Sequence, residues 1–233
     1  MKIIDIFENE YITTDEEKTF RAILENCKDS LNAFLDGHSI HRGMKHTSET
    51  FFLKKSEKKR KPAFFEAGDY YKDVFDKLPS WRALPDRSKS IICSTKSSVA
   101  QSFSYQRDGS EGVVYLIFPV DGARIGAVNQ HDFHDLVVKQ DDFFKHFVKQ
   151  HGLKGTSAMW YIIDELYKKY GTIPDTLIPD LDNLFDPVSI GLTIESTKDI
   201  PSLNGEVWIE DDAYAVNVHK EYDLKVWLSN ESK

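Results

Sequence analysis

The chain has 233 residues, 40% hydrophobic and 29% charged, with 30 lysines and arginines against 38 aspartates and glutamates and a net charge of −8. That composition supports a packed core and excludes a disordered chain, and the acidic balance argues against general affinity for phosphate backbones or anionic membranes. The two cysteines, Cys27 and Cys93, have neither metal-ligand spacing nor a disulfide framework, which points to a reducing compartment.

The first residues, MKIIDIFENEY, lack the long apolar stretch of a signal peptide. No run approaches the roughly 20 apolar residues of a membrane helix, so the expected location is the cytoplasm. Residues 14–36 read as one amphipathic helix. Thr14 and Glu17 have the Thr-x-x-Glu spacing of a capping box. Phe20, Ile23, Leu24, Cys27, Leu31, Phe34 and Leu35 share a face, and Gly37 follows where a cap is expected. Residues 38–43 (HSIHRG) predict a short strand, and 54–61 (KKSEKKRK) a solvated basic loop, with docking of an acidic protein or a nucleic acid as its minor option. A second helix is expected over about 68–78, and Pro79 and Pro85 bracket irregular chain.

Residues 90–95 (SIICST) read as a buried strand and 97–104 as the start of a helix. Residues 112–128 carry two strand signals around Asp121-Gly122, the pattern of a hairpin. Helices are expected near 136–150 and 156–170, the second ending at Gly171, and 172–189 as loop. Strands are predicted at 190–194, 206–210, 213–218 and 223–228. Strands carry the chemistry-bearing segments and helices fill the connections, which implies an α+β fold.

Three of those segments are distinctive together: Ile40-His41-Arg42-Gly43; Ile92-Cys93-Ser94-Thr95-Lys96, running on through Ala100 to Phe103; and Asn204-Gly205-Glu206-Val207-Trp208-Ile209. In that order they resemble the arginine–serine–glutamate class of mono-ADP-ribosyltransferases, over roughly residues 38–218. In that class an Arg-Gly lies on an early strand, a Ser-Thr-Ser stretch at a strand–helix junction, and a catalytic Glu opens a late strand. The resemblance implies a split pair of mixed β-sheets with an N-terminal helical flank: residues 1–37 as the flank and 38–233 as the catalytic domain. It implies NAD as substrate, no metal, and a macromolecular acceptor, a protein first and a nucleic acid second. A compact chain of this kind is typical of bacteriophage and bacterial-toxin members.

The chemistry wants these residue types. NAD presents a pyrophosphate to grip and a nicotinamide–ribose bond that breaks through an oxocarbenium-like state. Arg42 suits the phosphates, because its guanidinium forks onto two oxygens and stays charged. Gly43 permits close backbone approach to a ligand. Ser94 has a hydroxyl for the ribose or for orienting Glu206, and Thr95 is placed to brace the strand. The bland readings are a strand-edge arginine, a Ser/Thr turn and a strand-end carboxylate. Glu206 is expected to accept from the ribose 2′-hydroxyl and to stabilise positive charge developing on the sugar. Lys96 stands where the class has a second serine.

Asn204 lies two residues before Glu206 in the acceptor-facing loop. Arginine-specific members carry Glu there and several others Gln. An amide is no base for a guanidinium of pKa about 12 or higher, so an amide, hydroxyl, thiol, nucleobase or water stays open as acceptor. Arg82 and Arg87 are candidates for a further phosphate contact or plain surface residues, and Tyr105 and Phe118 for ring stacking or core packing. His131-x-x-His134, with His146 and His151, has no cysteine or carboxylate set beside it, which argues against metal. The alternatives to transfer are NAD glycohydrolysis at the same site and an inactive interaction module.

Overall fold

A computed structural model describes residues 11–45, 48–55, 74–104, 112–130, 133 and 136–231. The elements, in chain order, begin with β1 (Tyr11–Thr13), α1 (Glu16–Asn26), α2 (Lys28–Leu35), β2 (Ile40–Met44), β3 (Thr50–Leu53), β4 (Ile91–Ser94) and α3 (Ser97–Ser104). They continue with β5 (Val113–Pro119), β6 (Arg124–Val128), α4 (Asp142–His151), α5 (Met159–Tyr170), α6 (Ile178–Leu184), β7 (Leu192–Ser196), β8 (Glu206–Ile209), β9 (Ala213–Asn217) and α7 (Glu221–Glu231). Among the described residues no helix is long and apolar enough to cross a membrane.

The chain divides into two compact units. One comprises Met1–Phe7, Arg60–Leu84 and Asp132–Thr193. Its described part is helical, with an aromatic centre. Phe75 stacks on Trp81 at 4.0 Å and meets Phe133 edge-on at 5.7 Å, and Trp81 Nε1 donates to the Phe185 carbonyl at 2.9 Å. Asp141 caps α4 by accepting from the Phe144 amide at 2.9 Å, so the helix expected from 136 starts six residues later, at Asp142. Residues 172–189, expected as loop, contain α6. Most of the helix expected over 68–78 lies outside the described residues.

The other unit comprises Glu8–Lys59, Pro85–His131 and Ile194–Lys233. The strands align in the order β1-β3-β9-β5-β2-β4-β8-β6-β7. Every strand pair whose register is described is antiparallel. In place of the expected pair of mixed sheets there is one continuous sheet, antiparallel at every described pair, with a narrow waist. β2 and β4 share one register position, His41 opposite Ser94, whereas β2 meets β5 over five and β4 meets β8 over four. One hydrophobic cluster holds Ile40, Phe51, Tyr115 and Ala215 from one side of the waist and Ile91, Cys93, Ile125 and Val207 from the other. One face of the sheet thus carries a continuous core across the waist. On the outer side of β5 and β9, Leu116, Phe118 and Val216 pack against Phe20, Ile23, Leu31 and Leu224 from the helices.

Several local expectations change for non-local reasons. The helix expected over 14–36 is two helices broken at Cys27, whose φ of −130° and ψ of 40° leave the helical region. There the Cys27 thiol donates to the Phe118 carbonyl at 3.5 Å, Ser30 Oγ donates to the Pro119 carbonyl at 3.1 Å, and the Asp29 amide donates to Asp121 at 2.9 Å. The N-cap is Asp15, accepting from the Lys18 amide at 3.2 Å, rather than Thr14. Burial pushes the Cys27 thiol up to about 12, with Asp121 adding to the effect. Asp121-Gly122 does form a turn, with Gly122 at φ 80°, but not a hairpin: β5 pairs with β2 and β9, and β6 with β8. Residues 223–228, expected as a strand, belong to α7, which buries Leu224 and Leu228 one turn apart.

α3 lies against β2. A Cβ on Gly43 would fall onto the Ala100 carbonyl and within 2.8 Å of the Ser104 amide nitrogen, both backbone atoms of that helix. Gly43→Ala is therefore expected to cost about 1–3 kcal/mol, as for an overpacked core. Urea unfolding measures this, and an unchanged midpoint would show that α3 does not seat so closely.

Candidate functional site

The three segments that stand far apart in sequence are carried by β2, β4 and β8, which are neighbours in the sheet. Ser94 stands opposite Glu206, and His41 opposite Ser94. Paired residues of antiparallel strands share a face, so His41, Ser94 and Glu206 form one row. Chain alternation turns Arg42 to the other face, beside Cys93 and opposite Tyr115. There Arg42 is 4% exposed, and its Nη1 donates to the Ile92 carbonyl at 2.9 Å. Burial pulls its guanidinium below its ordinary value, opposed by Cys93. The structure thus brings Ser94, Thr95 and Glu206 together and places Arg42 in the core on the opposite face of the sheet.

Glu206 is buried at 2% exposure. Its Oε1 accepts from Arg87 Nε at 2.8 Å and from Trp208 Nε1 at 2.6 Å. The Arg87 guanidinium also lies 5.8 Å from the centre of the Trp208 ring. A buried carboxylate loses several kcal/mol of hydration, and charged and dipolar donors offset that cost. Arg87 is held by a tight turn leading into β4: Asp86 Oδ1 accepts from the Ser88 amide at 2.9 Å and the Ser88 hydroxyl at 2.6 Å. Trp208, two residues along β8, shares the Glu206 face and covers Gly126, where a Cβ would come within 3.1 Å of both the indole and Pro85.

The backbone at the start of β8 is pinned from both sides. Thr95 donates its amide to the Gly205 carbonyl at 3.0 Å and accepts the Gly205 amide on Oγ1 at 2.9 Å. This is the brace expected of Thr95. The Glu206 amide donates to the Gln130 carbonyl at 2.8 Å. Gly205 has a φ of 107°, and a Cβ there would collide with the Val128 and Gln130 backbones. Only glycine serves at this position. Ser94 Oγ accepts from the Lys96 amide at 3.0 Å, so the hydroxyl also begins the turn into α3. Asn204 is exposed and donates to Asn129 Oδ1 at 2.9 Å.

His41 is a further member of the row, placed there by register with Ser94. Burial holds its imidazole below the ordinary histidine value of 6.5, against the opposing effects of Glu221 and of a hydrogen bond to the Ser94 backbone. Its Nδ1 is buried with no hydrogen-bond partner among the described residues. Arg87 was a candidate phosphate contact by proximity alone; its pairing with Glu206 spans 119 residues and left no local signal. Phe118 is core, edge-on to Phe34 at 5.4 Å. Tyr105, His131 and His134 lie outside the described residues, as does the basic segment after Lys55. His151 is buried in α4 with Nδ1 3.1 Å from the Tyr170 hydroxyl. Among the described residues no group of three or more His, Cys, Asp or Glu side chains is arranged to hold a metal ion.

Comparison of the chain with protein-family models, curated proteins and solved structures finds no match.

Two outcomes follow from this geometry. Arg42→Gln is expected to lower unfolding stability by about 2 kcal/mol, the scale of a lost buried hydrogen bond from a charged group. Equal urea midpoints for the two proteins would remove Arg42 from the framework. His41 contributes through its depressed value. The unfolded chain takes up a proton near pH 6.5 while the folded one resists it, so this stability is complete above pH 6.5 and is lost below it. The drop in unfolding free energy between about pH 7 and pH 5 should be smaller in His41→Gln than in the wild type; identical slopes count against it.

Proposed function

We propose that this chain is an NAD-dependent ADP-ribosyltransferase, moving ADP-ribose from NAD to a macromolecular acceptor with release of nicotinamide. The observation that carries the reading is the convergence of three chain-distant segments. The Ser94-Thr95 junction sits against Glu206 in register, with Gly205 and Thr95 locking the carboxylate-bearing strand. That combination supports a site built for one carboxylate held rigidly, as a charge-stabilising group requires. Its setting is the α+β fold with an antiparallel sheet described above, whose finer likeness to the transferase fold is part of the proposal.

In the proposed reaction the bond from ribose C1′ to the nicotinamide nitrogen breaks, and both bonding electrons leave with the ring, which becomes neutral nicotinamide. Positive charge builds on C1′ and the ring oxygen. Glu206 stabilises it and accepts from the 2′-hydroxyl. The acceptor then bonds to C1′ and gives up a proton. Ser94 orients the sugar or the carboxylate, Thr95 sets the backbone around the ligand, and Asn204 faces the acceptor; Gly43, expected to admit a ligand, instead makes room for the backbone of α3. Arg42, expected to grip the phosphates, is assigned to hold the sheet together, because it lies on the opposite face from Glu206.

Asn204 favours an acceptor other than arginine, a protein first and a nucleic acid second. If water takes the acceptor's place, the same site is an NAD glycohydrolase. Incubation with adenylate-labelled NAD, with and without cell lysate, separates the outcomes. Label on macromolecules is the expected result. Free ADP-ribose alone identifies hydrolysis. No nicotinamide release, together with no rise in melting temperature on adding NAD, would falsify both and leave an interaction module. Glu206→Gln should lower nicotinamide release by about 10²–10³-fold or more with the fold retained, and turnover at the wild-type rate in that variant removes Glu206 from the chemistry.

A further inference from the structure

We infer that Arg87 is the positioning residue of this site: it holds the Glu206 carboxylate in its working orientation and keeps it ionised. The inference concerns the same carboxylate as the ADP-ribosyl reading, but its first test requires no turnover. Three observations carry it. The Glu206 side chain is 3% exposed, while the Arg87 side chain is 34% exposed. The buried anion therefore has a partly exposed cation 2.8 Å away. Arg87 Nε and Trp208 Nε1 both donate to the same oxygen, Oε1, which fixes the carboxylate rotation as well as its place. Arg87 is itself carried on a short turn closed by Asp86, with the Lys89 and Ser90 amides each donating to the Asp86 carbonyl at 2.9 Å, so the cation is delivered by rigid chain.

Among the described residues, β4 turns Ser94 toward Glu206 and β6 places Val128 opposite it. On the Arg87 turn, Asp86 and Lys89 pair with each other at 3.9 Å. Lys96 follows Thr95 on the approach to α3, and His41 stands beyond Ser94 in the row. Trp208 donates a hydrogen bond but carries no charge. Without the guanidinium, a carboxylate this deeply buried keeps its desolvation cost and loses the stabilising charge 2.8 Å away, and it takes up a proton at higher pH.

Trp208 makes the state of Glu206 observable. Its indole N–H donates to the carboxylate, so its nitrogen–proton resonance shifts when Glu206 is protonated. The chain has 4 tryptophans, and loss of one resonance in Trp208→Phe identifies the one to follow. In a pH titration the midpoint of that resonance should rise by about one pH unit or more in Arg87→Gln. Arg87→Lys keeps the charge but loses the planar N–H, and should fall between that variant and the wild type. NAD turnover in Arg87→Gln should lose activity on the acid side over the same shifted range. Arg87→Met, which keeps an apolar stem over Trp208, serves if the glutamine variant does not fold. A Trp208 resonance that responds at the same pH with and without the arginine, or in neither protein, overturns the inference. So does failure of both uncharged variants to fold while Arg87→Lys folds, since the residue is then purely structural. A shifted midpoint without any NAD turnover sinks the ADP-ribosyl reading and leaves this one standing; turnover without a shift does the reverse.

Discussion

The waist between β2 and β4 is the constraint on which the rest of the larger unit depends. The two strands share the His41–Ser94 position alone, so the ladder there supplies little of the hydrogen bonding that joins other strand pairs. Arg42 makes up part of the deficit, reaching across to the Ile92 carbonyl from inside the core. A buried guanidinium is costly to desolvate, and a hydrogen bond to a charged donor offsets that cost. Side chains from both sides of the waist meet in the same core cluster. The waist also sets Ser94 at the point where β4 leaves the sheet for α3. Framework and candidate chemistry therefore rest on the same few residues.

Two glycines make the close approaches that this arrangement needs. At Gly43 the backbone of α3 takes the space a side chain would fill, so the helix following Ser94 lies directly on β2. At Gly205 the positive φ and the proximity of Val128 and Gln130 turn the chain sharply into β8. Thr95 then bonds that turn on both its amide and its carbonyl. The result is a carboxylate whose backbone is held by both neighbouring strands.

The electrostatics of the site follow from depth. Glu206 is nearly inaccessible, with a cation and an indole N–H on one oxygen. In water such contacts are worth little, but in a partly dry site they are strengthened by the low dielectric. A carboxylate on the surface of this acidic chain would be one among many. The buried one is set apart by its setting, with Arg87 and Trp208 donating to one of its oxygens.

Short-range signals in the chain account for the local elements and the identity of the chemical groups. Apolar runs marked β4 and β8, Gly171 marked the end of α5, and Asp121-Gly122 marked a turn, because each signal is short-range. The pattern of Asp223 to Leu228 was misleading: Val226 and Trp227 suit a strand, and the burial of Leu224 and Leu228 by tertiary packing selects the helix. Only the tertiary structure decided the pairing of β5 and β6 with different partners, the break at Cys27, and the salt bridge from Arg87 to Glu206. It also decided between two adjacent residues. His41 and Arg42 are equally visible in the chain, but side chains alternate along a strand, and a register shift of one residue exchanges their faces. Register is set by neighbours from elsewhere in the sequence, so the sheet, and not the motif, puts His41 in the row with Ser94 and Glu206 and turns Arg42 into the core.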